Sequence, residues 1–291
     1  MSAGAAEPWT IARVLAWAAD DLRQRAAETP RLDAEVVLAH VLRTTRIALV
    51  TDATRPLSAE ELARYRELHK RRRAGEPVAY LVGEREFYGR PFRVDRRVLV
   101  PRPDTETLVT VALERTAARA LHVRALDLCT GSGCVVITLA KERPTSHFLG
   151  TDLSEDALAV ARDNAARLGA LPWLGFQRAD LFEGLRVAPL DLITANPPYI
   201  PDGDLPGLSV SIRAFEPTMA LVGGSDGLAI ANRIIAAAPG HLSEGGVLAM
   251  EIGAGQASDV KRAFEARGFR DVEARRDYGG IERVVSGVWP G

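Results

Sequence analysis

Ala125-Leu126-Asp127-Leu128-Cys129-Thr130-Gly131-Ser132-Gly133 reads as a short buried strand running into a tight turn. An apolar run of this length suits a strand better than a helix. The two glycines let the backbone approach a ligand closely. The apolar run Val135–Ala140 that follows predicts a helix, whose first N–H groups are free to meet that ligand. Taken alone, Gly-x-Gly is equally consistent with an ordinary turn. The third glycine of a G-x-G-x-x-G pattern is missing, because Val136 stands there, which argues against a nicotinamide or flavin site.

The segments on the C-terminal side repeat the same alternation. His147–Asp152 predicts a strand, Ser154 starts a helix through Ala165, and Gly175–Arg178 predicts a third strand closed by Asp180-Leu181-Phe182. Leu190–Ala195 predicts a fourth. A long loop, Ile200 to Gly227, precedes another helix, the strand Gly246–Ile252 and a last helix ending at Gly268. Strands near Val272–Arg276 and Arg283–Trp289 are close enough for a hairpin at the edge. Alternation of this kind points to an α/β fold with a mostly parallel sheet, helices on both faces and an antiparallel edge. The loop is long for a structureless connection and reads as either a lid or a surface excursion.

The fourth strand ends in Asn196-Pro197-Pro198-Tyr199. Two prolines cannot continue a ladder, so the strand stops in a stiff turn at the sheet edge where ligands bind in open α/β folds. The Asn side chain carries an acceptor and a donor, and the Pro197 carbonyl is a second, well-directed acceptor. Together they suit a planar –NH2 group held through both hydrogens, with Tyr199 packing beside it. The plain reading is a Pro-Pro turn capped by Asn.

The N-terminal third is helical. Thr10 is expected to cap a helix carrying Ile11, Val14, Leu15, Ala18 and Leu22. Pro30 breaks the pattern, Asp33 caps a second helix, and Ser58 with Glu61 forms a capping box for a third, Ala59–Arg73. The basic end Lys70-Arg71-Arg72-Arg73 matches the negative pole of a helix, or else forms a patch for an anionic partner such as RNA. Glu86–Val94 predicts a hairpin around Gly89, and Pro103-Asp104-Thr105-Glu106 a helix start.

The bulk composition narrows the class. With 291 residues, 47% hydrophobic and 26% charged, the chain is ordinary globular protein, and two domains are expected. A net charge of −1 gives no global field for nucleic acid. Cys129 and Cys134 lack metal-ligand spacing and read as reduced thiols, so neither a metal site nor a disulfide framework is expected. Met1–Pro8 has no leader pattern and no run is long enough to span a membrane, which leads to an expected cytoplasmic location.

The four strand ends in order, Asp-x-x-Thr-Gly-Ser-Gly, Asp152, Asp180-Leu181-Phe182 and Asn-Pro-Pro-Tyr, resemble class I (Rossmann-like) S-adenosylmethionine-dependent methyltransferases. Arg31-Leu32-Asp33-Ala34-Glu35, Pro77–Gly83, Phe87-Tyr88-Gly89, Pro101–Glu106, Glu216-Pro217-x-x-Ala220-Leu221 and Glu251-Ile252-Gly253-x-Gly255-Gln256 narrow the resemblance to the HemK/PrmC family. Members methylate the amide of the glutamine in the Gly-Gly-Gln motif of peptide-chain release factors. The resemblance implies S-adenosyl-L-methionine as cofactor, S-adenosyl-L-homocysteine as product, and a release factor as partner. No metal, membrane or direct nucleic-acid contact is implied; a ribosome-associated partner is compatible. It implies that Thr130, Gly131, Ser132, Gly133, Asp152, Asp180, Leu181 and Asn196 hold the cofactor, with Glu106 near its amino-acid end. Asn196, Pro197 and Tyr199 are the implied catalytic residues, and Phe87 and Pro198 join them in contacting substrate. The expected organisation is a helical recognition domain (1–76), a linker and hairpin (77–100) and a catalytic domain (101–291). Cys129 stands where the family commonly has Gly; a Cys at this point resembles the sister enzymes that methylate a ribosomal large-subunit protein. That substrate, and adenine in nucleic acid, remain alternatives, as do a nicotinamide oxidoreductase and a non-catalytic binding protein.

Overall fold

The computed structural model describes residues 7–119 and 122–291. The first six residues of the Met1–Pro8 stretch lie outside them. The chain forms two compact units. One runs through Gly83 and takes in Val210–Phe215; the other comprises Glu84–Ser209 and Glu216–Gly291.

The first unit contains α1 (Ile11–Arg23), α2 (Pro30–Leu42), α3 (Arg46–Thr51), α4 (Ala59–Arg73) and α5 (Val78–Val82). Thr10 caps α1, accepting from Arg13 N at 3.4 Å. Ser58 and Glu61 form the capping box of α4, at 3.1 and 2.8 Å. Val14, Leu38, Leu49 and Tyr65 are fully enclosed in its core. The start of α2 differs from expectation. The helix begins at Pro30 rather than Asp33, because proline's fixed φ suits the first helical position and its missing N–H is unneeded there. Asp33 therefore turns inward, accepting from Thr29 Oγ1 and Arg72 Nε, both at 2.8 Å. Arg71 pairs with Glu76 at 2.8 Å and Arg73 with Asp21 at 3.1 Å. Arg71, Arg72 and Arg73 at the basic end of α4 are thus paired with carboxylates of their own unit rather than left to solvent. The short α3, capped by Thr45, was not foreseen; six residues are too few to display a helical period.

The second unit opens with the hairpin β1 (Glu84–Phe87) and β2 (Arg90–Arg93), closed by Tyr88-Gly89 with both φ positive, the geometry that matches strand twist. Its main sheet holds β3 (Arg124–Leu128), β4 (His147–Asp152), β5 (Leu174–Arg178), β6 (Leu190–Ala195), β7 (Leu242–Glu251), β8 (Arg270–Arg276) and β9 (Glu282–Val288). The spatial order is β5-β4-β3-β6-β7-β9-β8, parallel except for β9, which runs antiparallel to both neighbours. Helices α6 (Glu106–Arg115), α7 (Cys134–Glu142), α8 (Glu155–Arg167), α10 (Ala229–Ala237) and α11 (Ala257–Arg267) pack around this sheet. The two core clusters divide β3 by its alternation: Ala125 joins Leu108 and Val136, while Leu126 and Leu128 join Ile193, Leu248 and Ile234. This is the expected Rossmann-like α/β fold. The terminal hairpin is not simply appended, however: β9 lies inside the sheet and only β8 is at the edge. Burial explains the order, since Val284, Val285 and Ser286 are buried whereas β8 is mostly exposed.

The loop after β6 is not structureless. It contains α9 (Val210–Arg213), a two-turn 3-10 helix at Asp202–Gly207 and a single turn at Thr218–Ala220. Its ends are fastened by a parallel bridge: Ile200 N donates to Leu221 O and Gly223 N to Ile200 O, both at 2.9 Å.

Candidate active site

β3 is followed in sequence by β4 on one side and, after β5, by β6 on the other, so the strand order reverses at β3. The crevice beyond the carboxyl ends of these strands is where open α/β sheets bind ligands. A cleft opens there, with about 1120 Å³ of empty space when its open, solvent-facing part is included. Its lining brings together Thr130, Gly131, Ser132, Asp152, Asp180, Leu181, Asn196 and Pro198 from the residues named in the sequence, with Asp127, Cys129, Arg102 and Thr105.

Asp127 braces this edge. Its two oxygens accept from Thr130 Oγ1 at 2.6 Å and Thr194 Oγ1 at 2.7 Å, tying the glycine turn to the neighbouring β6. Burial pushes its pKa up to about 7. Gly133 has φ +79°, and a Cβ there would sit 2.7 Å from Ile137 Cδ1 and 3.2 Å from Ala161 Cβ. Only glycine lets the turn close onto α7 and α8. Asp152 accepts from Gly131 N and Ser154 N, both at 2.9 Å, so it joins the turn to the start of α8. Burial raises its pKa. Asp180 is paired with Arg233 of α10 at 3.0 Å. Cys129 and Leu181 flank the cavity with positive φ, 55° and 52°, a strained backbone of the kind that collects at functional sites.

At the other end, Asn196 Nδ2 donates to Thr105 Oγ1 at 3.3 Å, and the parallel register of β6 and β7, with Ala195 opposite Met250, sets Glu251 beside Asn196 at the end of β7. Desolvation pushes the Glu251 carboxyl up to about 7. The turn after Asn196 is clamped from outside. Gln256 Nε2 donates to Tyr199 O at 3.0 Å, while Gln256 Oε1 accepts from Gly253 N at 2.8 Å. Gly227, with φ +74°, packs so closely that a Cβ would lie 3.0 Å from the Tyr199 carbonyl carbon and 2.8 Å from Gln256 Nε2. Burial pushes the Tyr199 phenol up to about 12, so it stays protonated at neutral pH.

Some named residues lie elsewhere. Phe87 does not line the cavity; it is buried in the core, its ring 6.0 Å from Phe92 and nearly perpendicular to it. Glu106 does not line it either. Its carboxylate accepts from Tyr88 N at 2.8 Å and holds the hairpin turn. Pro197, Tyr199 and Gly133 are not among the lining residues, although each is next in the chain to one that is. Conversely, Thr105, Arg102, Glu216 and Glu251 stand inside sequence motifs that single out none of them, yet they surround Asn196 and the cavity wall. Arg102 reaches from the wall to the buried Glu216 at 2.6 Å. Adjacency to Glu106 is what hid Thr105: one helical step turns a side chain by about 100°, so only one of the pair faces the cavity.

Among the described residues no cluster of His, Cys, Asp and Glu is arranged to hold a metal, and no helix is long and apolar enough to cross a membrane. The cavity is concave and largely apolar, with carboxylates at one end and a fixed amide at the other. It can take a nucleoside along its length and orient a planar nitrogen at its end.

Two family models match the chain: a PrmC N-terminal domain over residues 13–83 and a methyltransferase small domain over residues 104–207. The chain is 43% identical to a release factor glutamine methyltransferase of Geobacter sulfurreducens, covering 97% of each. It is 40% identical to a protein of the same name from Vibrio cholerae, over 96% of this chain and 97% of the other. A crystal structure of a methyltransferase from Pyrococcus furiosus superposes with a TM-score of 0.52 at 16% identity, over 69% of this chain and 90% of that one, a likeness of fold.

Proposed function

The chain belongs to the release factor glutamine methyltransferase family, and on that premise we propose that its cavity binds S-adenosylmethionine and a glutamine side chain of a release factor. Its reaction is methylation of that side-chain amide nitrogen, the glutamine being that of the Gly-Gly-Gln motif. The observation that carries the reading is that Asn196 opens into the same cavity as Asp152 and Asp180.

The residues fit the cofactor. The Gly131–Gly133 turn leaves backbone room, Asp152 and Asp180 offer acceptors for ribose and adenine polar groups, and Leu181 supplies apolar wall. Bound there, S-adenosylmethionine supplies an electrophilic methyl on a sulfonium. Asn196 Oδ1 and the Pro197 carbonyl accept the two hydrogens of the substrate amide and aim its nitrogen. An amide nitrogen is a weak nucleophile, so positioning is the main contribution, worth roughly 7–11 kcal/mol for well-oriented pairs. The clamp of Gln256 and Gly227 behind the turn removes its freedom to drift. The Tyr199 ring packs the back of the site. In this reading the helical unit recognises the protein substrate, the enzyme works in the cytoplasm, and its encounter with the factor takes place free or near the ribosome.

The experiment is mass spectrometry of a release factor incubated with the protein and S-adenosylmethionine, with a ribosomal protein and an adenine oligonucleotide as competitors. A gain of one methylene mass on the Gly-Gly-Gln glutamine is expected. Modification of either competitor in place of the factor would overturn the substrate assignment.

A further inference from the structure

Asn196 poses a problem that its position alone does not solve. A primary amide has two nearly isosteric orientations, one presenting Oδ1 and the other Nδ2. Only the first can accept from a substrate –NH2; the second sets donor against donor. Thr105 cannot decide between them, because a hydroxyl both donates and accepts. Glu251 can, because an ionised carboxylate only accepts.

The geometry points to Glu251 as a positioning residue that fixes the orientation of Asn196. We propose that its carboxylate receives hydrogen bonds from Asn196 Nδ2 and Thr105 Oγ1, which commits Asn196 Nδ2 inward and presents Oδ1 to the substrate nitrogen. This rests on the methyl-transfer reading above. Three observations support it. The parallel register that sets Ala195 opposite Met250 puts Glu251 beside Asn196, and Asn196 Nδ2 lies 3.3 Å from Thr105 Oγ1, so the three groups meet at one place. Glu251 is only 2% exposed, and its Oε2 has no hydrogen-bond partner. A buried carboxylate oxygen left unpaired is costly to the fold, which is the mark of a group retained for another purpose. Finally, Glu251 lies outside the cavity wall, so it acts through Asn196 rather than on substrate.

The charges around Glu251 come from four other segments. Arg283 of β9 favours the ionised form; Asp104 before α6, Tyr199 after β6 and Cys134 at the start of α7 face it as well. Arg283 is itself shared with Asp277 at 3.0 Å and Asp104 at 3.5 Å. With desolvation dominant, the carboxyl is held near 7. Protonated, Glu251 becomes a donor and no longer enforces one orientation.

The test compares the wild-type full chain with Glu251→Gln from about pH 5.5 to about pH 9. With release factor as substrate, wild-type kcat is expected to rise through neutrality to a plateau. Glu251→Gln should lose kcat on the order of 100-fold at the plateau and show no such rise. Its KM for the factor and its cofactor affinity should stay within about threefold, and its melting temperature should not fall. A variant that keeps the wild-type kcat and pH profile would overturn the proposal; so would a kcat loss matched by losses of cofactor affinity and melting temperature. A second readout needs no turnover. The side-chain amide NMR signals of Asn196, identified by their disappearance in Asn196→Ala, should move with pH around 7 in the wild type and not in Glu251→Gln. Immobile wild-type signals would refute the coupling even if methylation is observed. Signals that move, in a protein that methylates no release factor, would leave the coupling intact and refute the substrate reading.

Discussion

Replacing Gly227 by alanine should disable the enzyme from outside the Asn-Pro-Pro-Tyr motif. The added Cβ would stand 2.8 Å from Gln256 Nε2 and 3.0 Å from the carbonyl carbon of Tyr199, inside the 3.4 Å where ordinary contact begins. It would stand closer still to the Tyr199 carbonyl oxygen, which must withdraw by roughly 1 Å. That carbonyl is the acceptor through which Gln256 clamps the turn. A misplacement of about 1 Å costs a reaction that depends on positioning on the order of 100-fold, or about 2.7 kcal/mol of barrier. Alanine at φ +74° adds about 1–2 kcal/mol of backbone strain, which should lower the melting temperature. The assay is single-turnover transfer of labelled methyl to release factor, alongside calorimetric cofactor titration. A rate down about 100-fold with cofactor affinity nearly unchanged is expected, since Asp152 and Gly131 lie across the cavity and are untouched. A folded Gly227→Ala protein that turns over within about threefold of wild type would refute the idea that a rigid turn supplies the rate.

Asn196→Ala should lower kcat by about 100- to 1000-fold with cofactor affinity preserved, as for loss of one orienting group in a preorganised site; equal losses of both would contradict its assignment to the substrate end. Burial moves the Glu251 carboxyl from 4.5 to about 7, so its contribution to stability is fully present below the unfolded value and is lost as pH rises through 7. Glu251→Gln should therefore gain in unfolding free energy on wild type between about pH 5 and about pH 8, by at most about 3 kcal/mol, and a difference independent of pH would contradict the shift. Arg72→Ala strands the buried Asp33 carboxylate and should destabilise the helical unit by about 3 kcal/mol in chemical denaturation. Lys70→Ala, at an exposed site on the same helix end, should stay within about 0.5 kcal/mol.

What the sequence made legible was whatever is decided within a few residues. The Gly131–Gly133 turn, the Ser154 start of α8, the Ser58–Glu61 box and the Pro-Pro stop after β6 depend on local chemistry, and each falls where reading along the chain puts it. Pro30 went the other way because proline breaks a helix interior yet favours its first turn, and only packing chose between the two. The site was legible as a set of strand ends but not as a set of contacts. A carboxylate stands out in a sequence where a neighbouring hydroxyl does not, yet the start of α6 turns Glu106 to the hairpin and leaves Thr105 at the cavity. Phe87 stood in a motif, and the hairpin folds its ring into the core. Glu251 lies 55 positions after Asn196, and its meeting with Asn196 is a product of the parallel register of β6 and β7. No spacing rule reaches across such a crossover.

The interior placement of β9 has a consequence for how the protein is made. Chains emerge from the ribosome in order, and domains fold as their parts become available. Strands β3 to β7 can assemble as they appear, but β7 keeps an open edge until β9 arrives to cover it. β8, synthesised earlier, has no place in the sheet without β9, its one neighbour there. Arg283, which stands beside Glu251, arrives with the same strand. A nascent chain stalled before Glu282 would carry the whole Gly131–Gly133 turn and the Asn-Pro-Pro-Tyr motif, yet expose a raw strand edge beside them. Such a stalled product would be prone to pair with other chains. A complete sheet in this unit therefore comes late in synthesis, with its last strand.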